Sequence, residues 1–179
     1  MVAPNNFVPL FKNQTISSPS KPKALSEIIK NLNLRRIQSS VDGTCFFDSI
    51  AKQVGGGQQA VRKRIAKKMS ELSKLPEGQR GSSFLDASML NQDAIYRTET
   101  NAAGKINQRV FWGENYHAII AAMDYNRPVV VISPLQVQVL NPDGSVQNLE
   151  ADSLQTLKNQ NPIVLLYNGT NHWDAAAFQ

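Results

Sequence analysis

The chain has 179 residues, 41% of them hydrophobic and 18% charged, with a formal net charge of +5, one cysteine and two histidines. That length suits one domain with a sizeable core. A single cysteine excludes an intramolecular disulfide and, with so few histidines, argues against a structural zinc site, so no metal and no cofactor is expected.

Residues 1–23 hold Pro4, Pro9, Pro19 and Pro22 with little periodicity, and read as a flexible arm or linker. They show neither a basic nor an apolar leader segment. The expected compartment is therefore a reducing one: the cytoplasm, or a host cytosol if the chain is a secreted effector. Residues 24–179 read as the domain itself, expected to act as a monomer. No apolar run approaches the roughly 18 residues of a membrane span.

Within the domain, Ser26 is placed to cap a short helix with Ile28, Ile29 and Leu32 on its apolar face. Residues 34–38 read as extended and lead into a loop over 39–44. From Cys45 onward, Phe46, Phe47, Ile50, Ala51 and Val54 recur at helical spacing. Gly55-Gly56-Gly57 breaks that helix, and a basic amphipathic one follows over 58–75. Its apolar face is Val61, Ile65, Met69, Leu72 and Leu75, which puts Arg62, Lys63, Arg64, Lys67 and Lys68 mostly on the opposite, solvated face. The interleaved aromatic residues of a nucleic-acid platform are absent, so no nucleic-acid partner is expected.

Residues 84–96 read as weakly helical. The stretch 98–108 lacks periodicity and is expected to be a mobile loop that contacts a partner. Trp112, read as a core residue, and Gly113-Glu114 open a helix that runs to about Tyr125. Val129-Val130-Val131-Ile132 and Val137-Gln138-Val139-Leu140 then read as strands. The turn Asn141-Pro142-Asp143-Gly144 returns the chain into a hairpin strand over 146–149. A short helical connection over 153–159 leads to the apolar strand Ile163-Val164-Leu165-Leu166-Tyr167. Asn168-Gly169-Thr170-Asn171 turns the chain into a last strand starting at His172. Helices first and strands after make the fold class α+β, with helices packed around a central, mostly antiparallel twisted sheet.

Cys45 stands in the first turn of its helix, where unpaired amide groups and the helix dipole favour a thiolate. A lone cysteine is more often a small hydrophobe than a nucleophile, so its role turns on finding a base. His117 lies within a helix and reads as a packing or surface residue. His172 lies at the mouth of a hairpin, and residues two apart on a strand share a face. The Asp174 carboxylate can therefore accept a hydrogen bond from the His172 ring, with the Asn171 amide oxygen as the other acceptor in reach.

Asp42-Gly43-Thr44-Cys45-Phe46-Phe47 resembles the cysteine box of the ovarian-tumour (OTU) family of deubiquitinating cysteine proteases. Trp112-Gly113-Glu114 resembles that family's Trp-Gly-(Gly)-Glu segment, and 165–174 resembles its closing strand and His-aromatic-Asp box. The three occur in family order. Thr44 stands where Asn or Asp is common, and one glycine is missing after Trp112.

The resemblance implies a papain-like domain that cleaves the isopeptide bond at the C-terminus of ubiquitin or within polyubiquitin. On that reading Cys45 is the nucleophile, His172 the acid and base, and Asp174 its orienting group. Asp42, Gly43 and Thr44 form the oxyanion loop, while Trp173 and Asn171 line the substrate channel. A catalytically weak ubiquitin-binding module and another papain-like peptidase or amidase are the alternatives that the same residues leave open.

Overall fold

The computed structural model describes residues 24–41, 44–82, 85, 90, 96–100, 106–110 and 113–179. The expected arm over 1–23, nearly all of the weakly helical 84–96 stretch, Trp112, and the loop residues Asp42 and Gly43 lie outside the described residues.

A six-stranded sheet in the order β1-β8-β7-β4-β5-β6 carries the domain. Its strands are β1 (Leu34–Ile37), β4 (Val129–Ile132), β5 (Val137–Leu140), β6 (Val146–Leu149), β7 (Ile163–Tyr167) and β8 (Trp173–Phe178). All neighbours are antiparallel except β4 and β7, which run parallel with Val131 opposite Leu165. Every residue of β4 and of β7 is buried. An unbroken apolar run, without polar alternation, is what a central strand covered on both faces requires.

Both faces are covered. Val129, Val131, Ile163 and Leu165 point into one core with α2 (Cys45–Val54), α3 (Gly57–Ser73) and α4 (Asn115–Tyr125). Val130, Ile132, Val164 and Leu166, one residue out of step, point into a second core. That core is closed by Ile29 and Leu32 at α1 (Leu25–Asn31) and by Leu154 of the 3-10 helix Ala151–Gln160. Ser26 proves to be inside α1, whose cap position is Ala24 without a side-chain bond, so the helix starts two residues earlier than capping chemistry suggests.

α2 ends at Gly55 and α3 begins after Gly56, both at φ 83°, a left-handed conformation that glycine adopts without steric cost. The far end of α2 is tied to the sheet by Gln53. Its amide donates to the Val164 carbonyl at 2.9 Å and accepts the Val164 N–H at 2.8 Å.

Two expectations are corrected. The described residues of the stretch 98–108 are strand, not loop: Tyr96–Thr100 (β2) pairs antiparallel with Ile106–Val110 (β3) in a separate two-stranded sheet. Backbone pairing supplies the order that side-chain periodicity did not signal. Arg62 is not on the solvated face of α3 but fully buried. Its guanidinium lies 3.9 Å above the Phe47 ring, and its Nε bonds Gln58 at 2.9 Å. The delocalised cation and the aromatic face offset the loss of water. Lys63, Arg64 and Lys67 are exposed as expected. Among the described residues, no helix is long and apolar enough to cross a membrane.

α4 is seated by a close approach at its start. A methyl group at Gly113 would come within 2.1 Å of the Phe46 ring, so only glycine fits there. His117, in the first turn, is buried. Its Nδ1 accepts the Glu114 N–H at 2.8 Å, while the His117 N–H bonds back to the Glu114 carbonyl at 3.0 Å. Its Nε2 finds no partner among the described residues.

Gly113→Ala is expected to destabilise the domain by about 1–3 kcal/mol through overpacking against Phe46, read as a lower urea midpoint; an unchanged midpoint would refute the close approach. His117 is held to a pKa of about 3, first by burial and then by the charge of Arg62. The unfolded chain thus takes up this proton first, and stability falls as pH drops from about 6.5 toward 3, by up to about 1.4 kcal/mol per unit. His117→Gln, which keeps an acceptor for the Glu114 N–H, should flatten that slope between pH 6 and 4.

Candidate active site

Cys45 is the first residue of α2 and is buried. The four leading amide groups of a helix have no partner within it, and their combined dipole stabilises an anion there. α2 lies across β7 and β8. The next residue, Phe46, meets Trp173 edge to face at 5.1 Å, and Trp173 stacks on Tyr167 at 4.6 Å. Burial first, then the negative charge of a Cys45 thiolate, pushes the Tyr167 phenol up. The helix that Cys45 begins thus packs, through Phe46, on the first residue of β8, directly after His172.

That turn is built by one side chain. The Asn168 carboxamide oxygen accepts the N–H groups of Thr170 at 2.9 Å, Asn171 at 2.9 Å and His172 at 3.0 Å. Asparagine is suited to this because its short side chain reaches back to its own turn. The backbone of His172 is fixed before β8 begins. Its ring Nε2 lies 3.0 Å from Asp174 Oδ1. An ionised carboxylate only accepts, so Nε2 carries the proton and Nδ1 is the nitrogen that remains for exchange with a thiol.

Asp174 is 1% exposed. A charge removed from water needs partners on both oxygens. Oδ1 accepts the Ser39 N–H at 2.8 Å, the Ser39 hydroxyl at 3.1 Å and the His172 ring. Oδ2 accepts from Arg36 through Nε at 2.7 Å and through Nη2. Burial alone would raise the carboxyl; the Ser39 N–H, Arg36 and His172 outweigh it and hold it below the ordinary carboxylate value.

The segment between β1 and α2 joins this carboxylate to the cysteine helix. The one hydrogen of the Ser39 hydroxyl is shared between Asp174 and the Trp173 carbonyl, which is the nearer acceptor. Ser40 N–H bonds Asp48 Oδ2 at 2.9 Å, and its hydroxyl meets that of Thr44, the residue before the helix, at 2.8 Å.

Of the residues singled out by sequence, His172 and Asp174 meet directly, and the helix begun by Cys45 packs on their strand. Asn171 does not join them: its oxygen faces Asn168 and Thr170, each at 3.3 Å. Trp173 is 3% exposed and packs in the aromatic stack behind the turn. His117 is buried, which decides for the packing reading over the surface one.

Arg36, Ser39 and Asn168 were not identifiable as site residues from the sequence. Their only signal was charge inside a short strand and an Asn opening a turn, and neither says which distant residue lies opposite.

No protein-family model and no curated protein matches the chain by sequence. Among solved structures, the chain is similar to an OTU deubiquitinase from Wolbachia pipientis wMel bound to ubiquitin. That match has 13% identity, a TM-score of 0.55, and covers 82% of this chain and 96% of the other. It is also similar to the OTUD1 OTU domain, at 17% identity, with a TM-score of 0.52 and 86% and 95% of the two chains covered. The fold is that of an OTU domain, an α+β papain-like architecture.

Because the Asp174 carboxyl is depressed in the fold, the unfolded chain binds its proton first. The stability it contributes is full above about pH 4 and is lost as pH falls through the lower folded value. Asp174→Asn is expected to lower stability at pH 7 by about 1–3 kcal/mol and to remove that part of the acid slope. Matching urea-unfolding curves for the two proteins at pH 7 and pH 3 would contradict this.

Proposed function

We propose that this chain is a cysteine-type deubiquitinase, cleaving the isopeptide bond that follows the C-terminal glycine of ubiquitin. The observation that carries the reading is the His172–Asp174 hydrogen bond at the start of β8, on the strand against which the Cys45 helix packs. A nucleophile, a base and a group that fixes the base's tautomer is the minimum set for acyl transfer by a thiol. The OTU fold adds support, since the Wolbachia deubiquitinase of the same fold was solved bound to ubiquitin.

In this mechanism the Cys45 thiol passes its proton to Nδ1 of His172, and Sγ attacks the glycine carbonyl carbon. The carbonyl electrons move onto oxygen, and backbone N–H groups at the start of α2 stabilise that oxyanion. The tetrahedral adduct collapses as its C–N bond breaks, and His172 returns the proton to the departing lysine amine. Water, deprotonated by the same ring, then attacks the thioester; ubiquitin leaves with a free carboxylate and Sγ regains its proton. Asp174 keeps the proton of the resting ring on Nε2 and stabilises the imidazolium in each step.

Ubiquitin carrying a C-terminal electrophile is expected to form a covalent adduct with the chain, and Cys45→Ala to abolish it. His172→Ala should slow cleavage of diubiquitin by about 10²–10⁴-fold. An intact Cys45 that forms no adduct at neutral pH would overturn the proposal. Retention of diubiquitin without cleavage would instead mark a binding module.

A further inference from the structure

The Asp174 carboxylate is divided between two sets of partners. Oδ1 serves His172 and Ser39; Oδ2 serves Arg36 alone among the described residues, through two N–H groups of one guanidinium. The planar, two-donor grip fixes the plane of the carboxylate as a single ammonium cannot. It also commits Oδ2, so that Oδ1 is the oxygen left to the ring. Arg36 comes from β1, which pairs only with β8, placing Arg36 opposite Ala176, two residues along from Asp174. Its side chain is half exposed, so its charge is neither required by the core nor trapped in it.

We infer that Arg36 is a positioning residue: it fixes the Asp174 carboxylate and limits how strongly that carboxylate draws on the His172 ring. A carboxylate already facing a cation stabilises an imidazolium less than a solitary one does, and the same cation repels the imidazolium directly. Both effects act on a ring that the proposed mechanism uses as acid in one step and base in the next. The elements packed against β8 bring Cys45, Asp48 and Lys52 from α2, Arg35 from β1 and Tyr167 from β7 as the other titratable groups. Of the charged side chains, Arg36 alone among the described residues bonds the carboxylate. The inference extends the proposed mechanism, yet it concerns a hydrogen-bonded pair that can be measured without ubiquitin.

The test is a proton-NMR titration of the His172 ring in Cys45→Ala protein, where no thiol exchanges with it; His117→Gln in the same background assigns the two histidine signals. Adding Arg36→Met is expected to raise the titration midpoint of His172 by roughly one unit. It should also broaden the hydrogen-bonded Nε2 proton as the carboxylate gains freedom to rotate. Arg36→Lys, which restores charge but not the fork, should fall between, and it decides the matter should Arg36→Met fail to fold. A midpoint that stays put in both variants, even with lowered thermal stability, overturns the inference and leaves Arg36 a structural ion pair. A shifted midpoint in a chain that never reacts with a ubiquitin probe would uphold the clamp and defeat the deubiquitinase reading. An unshifted midpoint in a chain that cleaves ubiquitin would do the reverse.

Discussion

A carboxylate buried near the start of β8, one strand in from the edge of the sheet, is the constraint from which the site's geometry follows. Asp174 cannot remain ionised in the protein interior unless donors surround it, and those donors come from three separate places. Arg36 requires β1 to pair with β8 in one register, since a slip of one residue would turn its side chain to the other face. Ser39 requires the chain leaving β1 to fold back over β8. His172 requires the Asn168 turn. The adjacent Ser40 carries the constraint on to Asp48 and Thr44, at the head of the helix that Cys45 begins. Satisfying one buried charge thus fixes the cysteine helix, the histidine turn and the first strand relative to one another.

Much of this was legible in the sequence, and for identifiable reasons. The unbroken apolar runs at 129–132 and 163–167 could only be strands with both faces covered. The 3.6-residue spacing after Cys45 marked a helix. The two-residue interval between His172 and Asp174 put them within bonding distance, although His172 itself precedes the strand. These signals are local: each is a periodicity or a spacing within a few residues.

What remained hidden depends on contacts between residues far apart in the chain. Arg62 sits in a row of lysines and arginines that periodicity assigns to solvent; only the Phe47 ring opposite makes its burial tolerable. The strands β2 and β3 are held by pairing between backbones, which no side-chain pattern encodes. Arg36 is one of two consecutive arginines in Leu-Arg-Arg-Ile, and nothing there says that one of them faces an aspartate 138 positions later. The need of Gly113 for a missing side chain likewise becomes clear only once Phe46 is found against it.

The pairing of β1 with β8 has a kinetic side. The two strands lie at opposite ends of the described domain, and the loop they close spans nearly all of it. Closing it costs more entropy than forming any local helix, so such contacts are generally slow to appear. During synthesis the cysteine helix can form early, but no growing chain that still lacks residues 173–178 contains the carboxylate that its arginine and histidine await. The cysteine helix is thus made long before the carboxylate that the first strand and the histidine turn enclose, and an unfinished polypeptide holds these parts without the pairing that gathers them.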